Sequence, residues 1–192
     1  MTESPSRLAG YRHRRDHFFG SHAHSPLTDE QREKFTGLDY FPEREDLVLA
    51  LDLDESGDTV GDEVVLDTTD GQHKHFFRAG VVRFEVDGQP VELTMLRDER
   101  GGLFLPFRDG SAGKETYEVG RYLEPQRLPD GRLHVDLNYA YNPFCAYGSG
   151  WSCPIPPEEN RIAVTIPAGA ASATAGPNFP ITYTLRVNIA EG

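Results

Sequence analysis

From residue 47 onward this chain keeps a period of two, and that constrains its fold more than any other feature. Val82, Phe84 and Val86 alternate with Arg83, Glu85 and Asp87. Leu133, Val135, Leu137 and Tyr139 alternate with His134, Asp136 and Asn138. The same beat runs through residues 162–166 and 181–189. Successive side chains of a strand point to opposite faces, so each run reads as a half-buried strand. Residues 47–53 and 103–107 are apolar on both faces and read as more central. Short glycine-marked turns separate the runs: Asp70-Gly71, Asp87-Gly88, Gly101-Gly102 and Pro129-Asp130-Gly131. Short turns force antiparallel neighbours. The expectation is a mostly β chain, an antiparallel meander of about eight to ten strands closing into a barrel, split barrel or sandwich.

Before residue 40 the signals are helical. Leu8, Tyr11, Phe18 and Phe19 share a helix face, which would leave Arg12, Arg14, Arg15 and Asp16 wet. Thr28 and Gln31 have capping-box spacing, with Gly37 beyond Phe35 to stop the turn. The organisation read from these patterns is a tail over residues 1–9, then one β-rich domain over 10–192 with a helical preface over about 10–37. Residues 167–180 read as an irregular loop before the last strand.

Charge narrows the partners. The net charge is −12, from 31 acidic and 19 basic residues. Such a chain repels phosphate backbones and anionic lipid, so neither nucleic acid nor a membrane surface is expected. Lys34, Lys74 and Lys114 are the lysines; the other basic residues are arginines. The acid surplus suits a salt-rich cytoplasm as well as an ordinary acidic protein. No apolar run approaches the ~18 residues of a membrane span. No secretory h-region opens the chain, so a cytoplasmic location is expected.

Two polar segments stand out. One is Phe107-Arg108-Asp109-Gly110-Ser111, running through Glu115-Thr116-Tyr117 to Gly120-Arg121-Tyr122-Leu123. The other is Asp136-Leu137-Asn138-Tyr139-Ala140-Tyr141-Asn142-Pro143, then Cys145-Ala146-Tyr147 and Cys153-Pro154-Ile155-Pro156-Pro157 with Asn160. Arg108 and Arg121, near Asp109 and Glu115, read either as a guanidinium–carboxylate network pinning loops or as an anion site. Asp136 and Asn138, with His134 before them, fall on one strand face. They line a pocket if that face is interior, and are ordinary wet residues if it is not.

Cys145 and Cys153 are the two cysteines. They read as buried structural thiols; the other readings are a disulfide, half a metal site, or Cys145 as a nucleophile with His134 and Asp136. His73 and His75 share a face, and His22 and His24 a loop. The next acid after His75 is Glu85, too far for a His-x-His-Glu site, so no metal is expected.

These two segments, with Arg14-Arg15-Asp16 and Phe35-Thr36-Gly37-Leu38-Asp39-Tyr40-Phe41-Pro42 upstream, resemble the domain of unknown function 1684 family. The likeness covers most of residues 10–169. Longer members carry an extra β-rich segment for which this chain has no room, and residues 170–192 depart from the family pattern. The resemblance brings no established activity with it, and the sequence leaves any cofactor unknown.

The expected function is binding of a small polar or anionic ligand in a β-barrel pocket lined by Arg108, Asp109, Tyr117, Arg121, Asp136, Asn138, Tyr141 and Asn142. The alternatives are an interaction module pairing as a homodimer through an edge strand such as 181–189, and a hydrolase or isomerase using Asp109 or Asp136.

Overall fold

The computed structural model describes residues 6–171. Chain order opens with helix α1 (Arg7–Ser21) and helix α2 (Asp29–Lys34). Ser6 caps α1 by accepting from the Ala9 N–H, so the helix begins inside what sequence reads as tail. The Thr28 hydroxyl accepts from Gln31 N while Gln31 Oε1 accepts from Thr28 N, which is the reciprocal box the spacing predicts.

Among the described residues eight strands follow: β1 (Val48–Leu51), β2 (Glu63–Asp67), β3 (His73–Val86), β4 (Gln89–Arg97), β5 (Leu103–Phe107), β6 (Arg121–Leu123), β7 (Gln126–Arg127) and β8 (Leu133–Asp136). Strands β2 to β6 lie side by side in chain order, which is the meander. Strands β1, β8 and β7 form a second antiparallel sheet. The molecule is mostly β, with one of its two sheets curled into a half-barrel.

The Asp87-Gly88 turn joins β3 to β4 with Val86 opposite Gln89. Both turn residues have positive φ, 50° and 74°. That is the geometry a two-residue turn needs to follow strand twist. At Gly80 the β3–β4 register slips by one residue. Gly80 has φ +144°, and a Cβ there would stand 2.6 Å from the Asp54 carbonyl oxygen. Glycine is required because the neighbouring backbone crosses at contact distance.

The main core lies between the sheets. Val82, Leu93, Met95, Leu105 and Phe107 from the meander meet Leu133, Val135 and Leu137 and the later residues Ile166 and Ala168. A second cluster seats α1: Phe19 packs with Leu27, Leu38, Tyr117, Ala146 and Tyr147. Burying a Phe such as Phe19 stabilises by roughly 2 kcal/mol relative to leaving it exposed.

Several expectations are corrected. Residues 47–53 are not central: among the described residues β1 pairs with β8 alone, at a sheet edge, and Val48 is 43 % exposed. The strand read over 133–139 ends at Asp136, and residues Leu137–Tyr139 turn as a 3-10 helix. Asp136 accepts from the Asn138 N–H and so stops the strand itself. Residues 162–166 form no strand; Ile166 is pulled inward by hydrogen bonds described below. Arg12 and Asp16 are tied rather than wet. Arg12 donates to the Phe41 carbonyl and stacks over Tyr40, and Asp16 accepts from the Leu38 N–H. The strand expected over 181–189, and with it the pairing edge, lies outside the described residues.

Candidate functional site

Tyr11 and Arg15 are one helical turn apart and share a face of α1. That face lies against the seam where β6 meets the later chain, through reciprocal backbone hydrogen bonds between Tyr122 and Tyr141. A cleft of about 510 Å³ opens there, lined by Tyr11, Arg15, Tyr122 and Tyr141 together with Lys74, Phe144, Trp151 and Cys153. The Arg15 guanidinium sits 4.9 Å from the Tyr141 ring centre, 5.4 Å from Phe19 and 5.8 Å from Tyr11. Such stacking favours a cation over an aromatic face. Its Nε is buried with no hydrogen-bond partner. The polar groups facing it are the phenols of Tyr11, Tyr147, Tyr40 and Tyr141.

Tyr141 donates its hydroxyl to Glu124 Oε1 at 2.7 Å. Burial, with the Glu124 charge beside it, pushes that phenol far above its ordinary range. The Tyr122 hydroxyl donates to the Pro154 carbonyl, tying two residues of the lining together. Phe144 packs edge-on against Trp151, ring centres 4.8 Å apart. A second open cleft, about 360 Å³, continues from the first. It shares Tyr11, Glu124 and Tyr141 and adds Arg7, His134, Asp136 and Tyr139.

The structure distributes the eight residues singled out by sequence over several places. Arg121 and Asp109 come together in the interior, 3.2 Å apart, with the guanidinium fully buried. Arg121 Nη1 donates to the carbonyls of Ala168 and Ala170, and Nη2 to that of Ile166. Asp109 Oδ2 accepts from Ser111 Oγ and from Ile166 N, both at 2.8 Å. Of the two readings of the arginine–carboxylate pattern, this pair takes the loop-pinning one.

Asn138 is buried, and its amide brackets both backbone groups of Arg44 at 2.8 Å each. Asn142 is buried and donates to Tyr147 Oη and the Ala171 carbonyl. Arg108 is exposed and donates to the Glu118 carbonyl. Tyr117 donates to Cys145 Sγ at 3.6 Å. Only Tyr141 and Asp136 face the clefts. The two segments do meet, at the Tyr122–Tyr141 bridge, but through backbone and packed side chains rather than around one shared hollow.

Sequence reasoning missed Arg15, Tyr11, Lys74, Glu124 and Trp151. The i, i+4 spacing of Tyr11 and Arg15 was a usable signal, since a long cation beside an aromatic face covers it with its stem. Nothing in the spacing pointed to Trp151.

The cysteines are free. Cys145 meets Tyr117, Cys153 and Thr69, whereas His134 and Asp136 line the second cleft, so the nucleophile–His134–Asp136 grouping does not assemble. Among the described residues no group of three metal-ligating side chains is found, and no helix is long and apolar enough to cross a membrane.

Residues 33–171 match the sequence profile of a family described as Protein of unknown function (DUF1684). Among curated proteins none matches. Among solved structures the chain is similar to an uncharacterised protein from gene locus rrnAC0354 of Haloarcula marismortui, determined by solution NMR. The two are 36 % identical with a TM-score of 0.64, over 87 % of this chain and 93 % of that one. The distinctive words of the polar segments, the profile spanning them and this structural likeness agree: the chain belongs to the DUF1684 family.

Proposed function

We propose that this protein is a small-molecule binding domain whose cleft beside α1 takes a planar anionic ligand, an aromatic carboxylate in the simplest case. One observation carries the reading. Arg15 places a guanidinium in the lining of the cleft, stacked on the Tyr141 and Phe19 rings with phenols as the polar groups facing it, whereas the guanidinium of the buried Arg121 is turned to the Asp109 carboxylate and three carbonyls. A guanidinium fork matches a carboxylate, and the Tyr and Trp faces around it match a ring. Lys74 adds a second positive charge on the same cleft. The one carboxylate there, Glu124, is occupied by the Tyr141 hydroxyl.

Binding fits the geometry better than acid–base catalysis. Asp109 is 3 % exposed and engaged by Arg121, Ser111 and Ile166, so a substrate has no path to it. Asp136 faces a cleft, yet one of its oxygens already serves both nitrogens of Asn138. The two thiols, free in the fold, support a reducing cytoplasm as its setting.

Trp151 is the single tryptophan and lines the cleft, so its emission reports occupancy. The experiment titrates the protein with a series of aromatic carboxylates and their neutral amides. Saturable quenching by a carboxylate is expected, at least about tenfold weaker with the amide and with Arg15→Gln. Equal response to acid and amide, or none to any carboxylate at millimolar concentration, overturns the reading.

A further inference from the structure

We infer that the second cleft, beside the N-terminal half of α1, is a subsite for a neutral polyhydroxylated ring, a pyranose in the simplest case. Strand alternation supplies much of its lining. In β8, Leu133 and Val135 are fully buried in the main core, so His134 and Asp136 stand on the opposite face. Gln126 of β7 pairs with His134 in the antiparallel register, and Glu124, two residues before it, reaches the same cleft. Helix α1 contributes Arg7 and Tyr11, one turn apart. The Tyr11 ring stands 4.7 Å from the Tyr139 ring, and its hydroxyl donates to the Tyr139 carbonyl at 3.4 Å, which holds the helix to the rest of the lining.

Hydrogen bonding defines what the cleft still offers. Asp136 Oδ1 accepts from Asn138 N at 3.0 Å and from Asn138 Nδ2 at 2.9 Å, and Glu124 Oε1 accepts from the Tyr141 hydroxyl at 2.7 Å. Each carboxylate keeps a second oxygen that takes no hydrogen bond among the described residues. The side chains of Arg7, Gln126 and His134 make none among the described residues either. Open acceptors therefore lie beside open donors, with the Tyr11, Tyr139 and Tyr141 rings in the same lining.

That mixture selects a chemistry. An anion is repelled by Glu124 and Asp136, a simple cation meets Arg7 in the same lining, and an apolar ring leaves all five polar side chains without a partner. A sugar hydroxyl donates and accepts at once, so neighbouring hydroxyls on one ring answer both kinds of group. A hydroxyl donating to a carboxylate makes a short, charge-assisted bond, and the C–H face of the ring lies on a tyrosine. At about 360 Å³ the cleft is at the low end of ligand pockets, roughly 300–1,000 Å³, which suits one ring rather than a chain of them. It shares Tyr11, Glu124 and Tyr141 with the first cleft, but Arg15, Lys74 and Trp151 line only the first, so sugar binding here is independent of whether an aromatic anion binds next to it.

The probes are methyl glycosides of the common hexoses and pentoses, titrated into the full chain while NMR follows the His134 imidazole and the Gln126 side-chain amide. At least one glycoside is expected to give saturable shifts at both groups, and cyclohexanol, with its single hydroxyl, to give none. Asp136→Asn keeps a carbonyl oxygen for Asn138 and replaces the open carboxylate oxygen by an amide; it is expected to weaken binding at least about tenfold. No shift with any glycoside at tens of millimolar overturns the assignment, as does an equal response to cyclohexanol. Saturable shifts with cyclohexylamine but with no glycoside overturn it in favour of a cation. Unchanged binding in a folded Asp136→Asn variant overturns it as well. The glycoside and cyclohexanol arms use the wild type, so they decide the matter even where the variant fails to fold. Quenching of Trp151 by aromatic carboxylates is read at the other cleft, so each site fails or stands by its own signal.

Discussion

Replacing Asp109 by Ala removes the one carboxylate that, among the described residues, meets a guanidinium that is 0 % exposed. In the native fold Asp109 accepts from Arg121 Nη2, Ser111 Oγ and Ile166 N. The variant leaves Arg121 charged, desolvated and held only by carbonyl oxygens. Orphaning one member of a buried ion pair costs about 3–5 kcal/mol, because the remaining charge keeps its desolvation penalty. The loss of acceptor for the Ile166 N–H falls within that range rather than adding to it. We expect about 4 kcal/mol, a large share of the roughly 5–15 kcal/mol that holds a domain together. Urea denaturation followed by Trp151 emission and far-ultraviolet circular dichroism measures it. Arg121→Met is expected to cost a similar amount, since it orphans Asp109 and three carbonyls. The double variant Asp109→Ala with Arg121→Met leaves no unpaired charge and is expected to fall short of the sum of the singles by about 2 kcal/mol. A single-variant cost under about 1 kcal/mol, typical of an exposed ion pair, refutes the reasoning. Strict additivity of the two changes refutes it too.

Other consequences are equally open to measurement. Asn160 is fully buried, accepts from Thr94 N, and donates to the carbonyls of Thr94 and Pro106; Asn160→Ala is expected to cost about 3 kcal/mol in the same denaturation assay, and a neutral result would contradict its role as a clamp between β4 and β5. Gly80→Ala is expected to lose about 2 kcal/mol or more, because the left-handed backbone is strained for alanine and the new Cβ meets Asp54 O. Burial raises Tyr40, Tyr122 and Tyr141 well above the ordinary 10.0 and Tyr147 to about 12. A raised folded value means that stability is whole below pH 10 and declines as pH climbs through 12. Phenolate absorbance should therefore lag for these rings and rise together with loss of near-ultraviolet dichroism; independent titration of every tyrosine near 10 with the fold intact would exclude this.

The strand pattern was legible because period-two alternation reflects a sheet with one face buried. Val82, Phe84 and Val86 lie in the core as their spacing demands, and Asp87-Gly88 turns where it should. Residues 162–166 show where that logic stops. Their alternation is real, and Ile162 and Val164 hydrogen-bond to the backbone of residues 108–110, but the Asp109 carboxylate then claims the Ile166 N–H and Arg121 its carbonyl, so the pairing stops short of a strand. The site was only partly legible for a related reason. Asp109, Arg121, Asn138 and Asn142 stood out as polar words, yet polarity in sequence does not distinguish a group that faces a ligand from one that satisfies buried backbone. Arg15 was misplaced because a helix face judged by charge alone counts a guanidinium as wet. Here aromatic rings from α1 and the Tyr141 segment cover it.

The three carbonyls around Arg121 bear on how the chain is made. Residues 166–170 are synthesised some time after Arg121 leaves the ribosome, and until they emerge its guanidinium has no oxygens from them to meet. A nascent chain that stops short of this segment must either keep that arginine in water, holding the sheet open, or bury it unsatisfied. Closure of the domain is therefore expected to wait for its own last keystone, so that assembly follows translation rather than accompanying it.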